Sequence, residues 1–123
     1  MAARIAGYGL SVSSAAQAYV AAHLAHPSFR RWRAMGLIDG ADQPYYWRDL
    51  ARKPWPGPTP LPASAADQGP SVNALCPYSG KPVTHFMNLG GRSYGFCNAF
   101  CRDKTVADPE AWPAFMALLQ GAA

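Results

Sequence analysis

The stretch Cys76-Pro77-Tyr78-Ser79-Gly80-Lys81-Pro82-Val83-Thr84-His85-Phe86-Met87-Asn88-Leu89-Gly90-Gly91-Arg92-Ser93-Tyr94-Gly95-Phe96-Cys97-Asn98-Ala99-Phe100-Cys101 carries all three cysteines of this 123-residue chain. Thr84 to Asn88 reads as a strand and Arg92 to Phe96 as its return. Between them, Gly90-Gly91 suits a two-residue hairpin turn, because glycine tolerates positive φ at both positions. A short helix from about Asn98 to Val106 follows. Cys97 and Cys101 are then one helical turn apart, with both sulfurs facing the same way. Cys97 would stand at the helix N-terminus, where free N–H groups and the helix dipole favour a thiolate. Cys76 opens a Pro-Tyr-Ser-Gly turn, a tight knuckle whose N–H groups can point at a sulfur. The hairpin is the device that brings Cys76 back to the helix. Knuckle, hairpin and helix, in that order, make a treble-clef metal site.

Three thiolates fill three of the four positions of a closed zinc site. Ser79 stands where a Cys-x2-Cys knuckle would have its second cysteine. His85, on the first hairpin strand and on the same side as Met87, is the candidate fourth ligand. Asp103, Glu110, Ser79 and water are the oxygen alternatives. The incomplete set suits Zn2+ with an open position, or Cu+ held by three soft thiolates. A lost metal, with packing alone holding the fold, is a third reading. Three buried, inert thiols are the plainest alternative, since cysteine is often buried. An odd cysteine count argues against a disulfide scaffold. A Cys97–Cys101 disulfide would need distortion. A catalytic Cys97 lacks a histidine or acid partner placed by the sequence.

The pattern Cys76-x20-Cys97-x3-Cys101 resembles the TRASH/YHS-type heavy-metal modules. The resemblance is carried by Cys76 to Val83, Tyr94-Gly95-Phe96-Cys97, Phe100-Cys101 and Ala107-Asp108-Pro109-Glu110. It covers about a third of the chain. Membership would imply sensing, trafficking or resistance of metals such as zinc and copper.

Outward from this module, Asp108-Pro109 restarts the chain and Pro113 to Leu119 reads as a last helix. Towards the N-terminus, residues 40–75 are punctuated by Pro44, Pro54, Pro56, Pro58, Pro60, Pro62 and Pro70. Alternating prolines remove backbone donors and favour polyproline II geometry. This segment is expected to be an extended connector, neither helix nor central strand. Its rings Tyr45, Tyr46, Trp47 and Trp55 are expected against a flanking half, with an aromatic binding surface as the alternative.

Residues 1–39 read as helical. Ser13 or Ser14 caps a helix to about Leu24, with Ala15, Ala18, Tyr19, Ala22 and Leu24-Ala25 as its apolar positions. Pro27 opens a second helix to Met35, with Phe29, Trp32 and Met35 as its buried stripe and Gly36 as a stop. Gly7-Tyr8-Gly9-Leu10, Ala15-x3-Tyr19, His26-Pro27 and Trp32 resemble the closing helices of a bacterial glutathione S-transferase C-terminal domain, over residues 3–35. In that family these helices are structural. The capping motif with an Asp is replaced by Ala3-Arg4, and the glutathione-binding thioredoxin-like domain has no counterpart in these residues. The resemblance therefore implies the tail end of such a protein joined to a metal module, with no catalytic or glutathione-binding residue carried over.

The expected organisation is a small α+β chain: helices over 1–39, connector over 40–75, metal module over 76–119. Large apolar side chains are few, so a metal or partner would help such small units to fold. A protein partner or homo-oligomer would use the N-terminal helices and the connector. The formal charge is +4, and its tight cluster, Arg30, Arg31 and Arg33, reads as a solvated helix face more than a nucleic-acid surface. No apolar run is long enough to span a membrane. Residues 1–18 make a poor signal peptide, and a cytoplasmic setting is expected.

Overall fold

The computed structural model describes residues 1–49, 51 and 53–121. Two positions of the expected connector, Leu50 and Arg52, lie outside the described residues. Among the described residues there are five α-helices and one three-stranded antiparallel sheet, a small α+β arrangement. The helices are α1 (Ala2–Tyr8), α2 (Ser14–Ala25), α3 (Pro27–Leu37), α4 (Ala99–Ala107) and α5 (Pro113–Gly121). The strands are β1 (Ala63–Ala66), β2 (His85–Leu89) and β3 (Arg92–Phe96), in the order β1-β2-β3. No helix of the described residues is long and apolar enough to cross a membrane.

The expected hairpin is present. Gly90 and Gly91 both take positive φ, 58° and 76°, and Leu89 lies opposite Arg92. Alternation along the strands then puts Met87, Leu89, Tyr94 and Phe96 in the core, against Cys101, Ala111, Trp112 and Phe115. Tyr94 meets the Phe115 ring edge-on at 5.2 Å. Gly95 is required by close approach: a Cβ there would meet the Val83 side chain at 2.6 Å.

The second half of the expected connector contributes to this sheet. β1 pairs antiparallel with β2, Ala63 opposite Leu89 and Ala66 opposite Phe86. Its run of small residues carries no strand signal, so only the pairing reveals it. Residues 72 and 73 close the opposite edge. Val72 N–H donates to the Ser93 carbonyl at 2.8 Å, and the Asn73 amide pairs with both Gly95 N–H and Gly95 C=O. Such covering satisfies backbone groups that an edge strand leaves open.

The N-terminal helices build a second, smaller core of Ala2, Val20 and Leu24, backed by Ile5, Phe29 and Trp55. The Ser13 side chain caps α2, accepting from Ala16 N–H. His26 Nδ1 caps α3 by accepting from Ser28 N–H, with Pro27 in the first turn. The expected apolar positions need correction in part, since Leu24 of α2 is buried and Phe29 of α3 is half-buried against this core as expected. In α2 the buried face is Val20 and Leu24, while Tyr19 is exposed. In α3 it is Ala34, while Trp32 and Met35 face outward.

The α3 face turned inward is the arginine face. Arg30 forks onto Asp108 through Nε at 2.8 Å and Nη2 at 2.6 Å, and also reaches Glu110 at 3.1 Å. Arg31 reaches the Ala111 carbonyl, and Arg33 lies 3.9 Å over the Trp55 ring. The expected solvated face is therefore a contact surface. Asp108, buried at the end of α4, needs a cation, and the planar fork of arginine satisfies both of its oxygens. Of the connector rings, Trp55 stacks near Phe29 as expected. Tyr45, Tyr46 and Trp47 instead remain exposed.

Candidate metal centre

Three local devices converge on one point. The first is the Cys76 knuckle. Cys76 N–H donates to the Lys81 carbonyl at 2.8 Å, and Gly80 N–H donates to the Cys76 carbonyl at 2.9 Å. Gly80 closes the turn with φ of 67°. The second is the hairpin, which delivers Cys97 directly after Phe96. The third is the first turn of α4, which carries Cys101. Asn98 is the cap of that helix, its side chain accepting from Cys101 N–H at 2.8 Å.

Among the described residues, the sulfurs of Cys76, Cys97 and Cys101 all lie within 4.8 Å of one another. Cys97 and Cys101 are 3.9 Å apart. Two sulfurs bound tetrahedrally to one zinc ion, each at about 2.3 Å, would lie about 3.8 Å apart. The Cys97–Cys101 pair has the spacing of two thiolates on one cation, and none of the three cysteines is in a disulfide.

The surroundings of the sulfurs are polarised. Burial pushes the Cys76 thiol up, but the N–H groups of Tyr78, Cys97 and Ser79, with the Ser79 hydroxyl, outweigh burial and bring it down to about 7. Burial pushes the Cys101 thiol up to about 11, helped by its hydrogen bond with Cys97 and the charges of Cys76 and Cys97; Lys104 opposes this. Three thiols this close cannot all ionise without a cation to neutralise them.

Cys97 stands one position before the helix cap, just outside α4. Its sulfur is served less by the helix dipole than by side chains. Ser79 Oγ donates to it at 3.2 Å and Asn98 Nδ2 at 3.5 Å. Ser79 thus supports a sulfur from the place where a fourth cysteine would stand.

His85 is not part of the three-sulfur group. Its Nδ1 is 2.9 Å from Thr84 Oγ1, and that hydroxyl also donates to the Cys97 carbonyl at 2.9 Å. The single hydroxyl proton is spent on the carbonyl, so Nδ1–H is the donor and Nε2 carries the free lone pair. Asp103 and Glu110 are engaged elsewhere, with Arg102 at 2.7 Å and Arg30 at 3.1 Å.

A second layer locks the knuckle to α4. Thr105 Oγ1 donates to the Cys101 carbonyl at 2.7 Å, so the Tyr78 hydroxyl must donate to Thr105 at 2.6 Å. Burial raises the Tyr78 pKa, which keeps that donor protonated. Lys104 Nζ lies 4.0 Å over the Tyr78 ring and 4.2 Å over Trp112. Sequence reasoning missed Asn98, Thr105 and Lys104. Asn98 had a readable signal, an asparagine directly before a helix. The other two depend on which residues the hairpin brings over α4. No protein-family model, curated protein or solved structure matches this chain.

Proposed function

We propose that this chain is a non-enzymatic metal-binding protein in which Cys76, Cys97 and Cys101 hold Zn2+ or Cu+. The observation that carries the reading is three sulfurs within 4.8 Å of one another. Thiols packed only for their volume need no such convergence, nor N–H and hydroxyl donors turned on the sulfurs. The knuckle, hairpin and helix support a treble-clef arrangement of the TRASH/YHS type over residues 76–119. The ion either holds that module together or passes to a partner. His85 is the protein group we propose for the fourth position, through its Nε2. Reduced thiols suit the cytoplasm. The N-terminal helices, similar to the closing helices of glutathione S-transferases, serve in this reading as scaffold.

Purification without chelator, followed by elemental analysis, tests the proposal. One equivalent of zinc or copper is expected, lost in Cys76→Ser and Cys101→Ser. Metal-free protein that takes up neither ion, with its thiols free to react while folded, would sink it.

A further inference from the structure

The three cysteines are unequally placed. Cys76 and Cys101 are buried, 2% and 8% exposed, while Cys97 is only half-buried. The Cys97 sulfur accepts from Ser79 Oγ at 3.2 Å and from Asn98 Nδ2 at 3.5 Å, and donors of this kind favour a thiolate. A thiolate that solvent can reach is the form that peroxides attack. A second thiol, Cys101, stands 3.9 Å away. The distortion expected of two cysteines within one helix does not arise. Cys97 precedes the Asn98 cap, so only Cys101 belongs to α4. A disulfide bond is about 2.05 Å long, and the Cys97 side chain can turn towards Cys101 without unwinding the helix. The Cys76 sulfur is instead held in its knuckle by the N–H groups of Tyr78 and Ser79.

We infer that Cys97 and Cys101 form a redox switch on the metal centre: a peroxide joins them as a disulfide, and the ion is released. The release rests on the proposed metal binding; the disulfide does not. In the first step the Cys97 thiolate attacks one oxygen of hydrogen peroxide. An S–O bond forms, the O–O bond breaks and hydroxide leaves. The Cys101 thiolate then attacks the Cys97 sulfur. The S–S bond forms, the S–O bond breaks and a second hydroxide leaves. Both hydroxides take protons from solvent, so two thiolates are oxidised and one peroxide is reduced to two waters. Metal sites bind thiolates, and the disulfide removes two of them, leaving Cys76 as the last sulfur ligand.

Hydrogen peroxide added to the zinc-loaded chain and to the reduced, metal-free chain tests this. Two of the three thiols should disappear, with bound zinc released in step and taken up again after reduction by dithiothreitol. Cleavage at arginine leaves Cys97 and Cys101 together on the peptide Ser93–Arg102 and Cys76 on another. The Ser93–Arg102 peptide is expected to be lighter by two hydrogens in both samples. Metal-free Cys101→Ser should instead hold a Cys97 sulfenic acid that dimedone traps. A disulfide joining the two peptides or two chains overturns the inference. So does oxidation that dithiothreitol does not reverse, or zinc retained after the disulfide forms. A chain that binds no metal removes the release with the metal centre, while the metal-free sample still reports the disulfide, so the two failures are read apart.

Discussion

At the residue scale, Cys76 and Cys101 are opposed. Backbone donors hold Cys76 at about 7, below the ordinary thiol value of 9.0, and burial holds Cys101 at about 11, above it. A thiol with a lowered folded pKa contributes stability that is fully present above the unfolded value and lost as pH falls through the folded one. Cys101 acts in the other sense, removing stability as pH rises from the unfolded value towards its own. The metal-free, reduced protein is therefore expected to gain stability from about pH 7 to 9 and to lose it towards pH 11. Urea unfolding across that range checks this, with Cys76→Ser flattening the first rise. A profile that falls between pH 7 and 9 would contradict the donor geometry at Cys76.

At the element scale, the hairpin sets the distance between knuckle and helix. Gly95 lets the chain around Val83 lie flat against β3, and the added methyl of alanine has no room. Gly95→Ala is expected to destabilise the protein by about 1–3 kcal/mol, the usual penalty of overpacking. Val83→Ala should recover part of that loss in a double-mutant cycle, because the two sites share one volume. Thermal melts of the four proteins give the coupling; strict additivity would remove the close-approach explanation. The turn glycines were legible in sequence, and so was the strand pairing they impose. The need for glycine at 95 was not, since it depends on where Val83 returns.

At the scale of the whole molecule, the two halves are joined by Arg30 and Asp108. Their side chains are 16% and 5% exposed, and acidic neighbours hold the Arg30 guanidinium charged, the Asp108 hydrogen bond outweighing burial. Removing one partner leaves the other charge buried and alone. Arg30→Ala is expected to cost about 3 kcal/mol, and Arg30→Met with Asp108→Leu much less, measured by urea unfolding. If the single and double variants are equally unstable, the ion pair is not what joins the halves.

The cysteine spacing, the Gly90-Gly91 turn and the proline-opened helices determined by themselves the α+β class, the hairpin and the set of sulfurs. These are local signals, written in residues a few positions apart. Only the tertiary structure decided which face of α3 turns inward, because an apolar stripe and an arginine stripe compete there and Asp108, 78 positions from Arg30, settles the contest. The same holds for β1, whose alanines and serine become a strand only because β2 offers an edge. It holds too for Ser79, whose hydroxyl meets Cys97 only after the hairpin closes. Spacing identified the thiols; packing determined what surrounds their sulfurs.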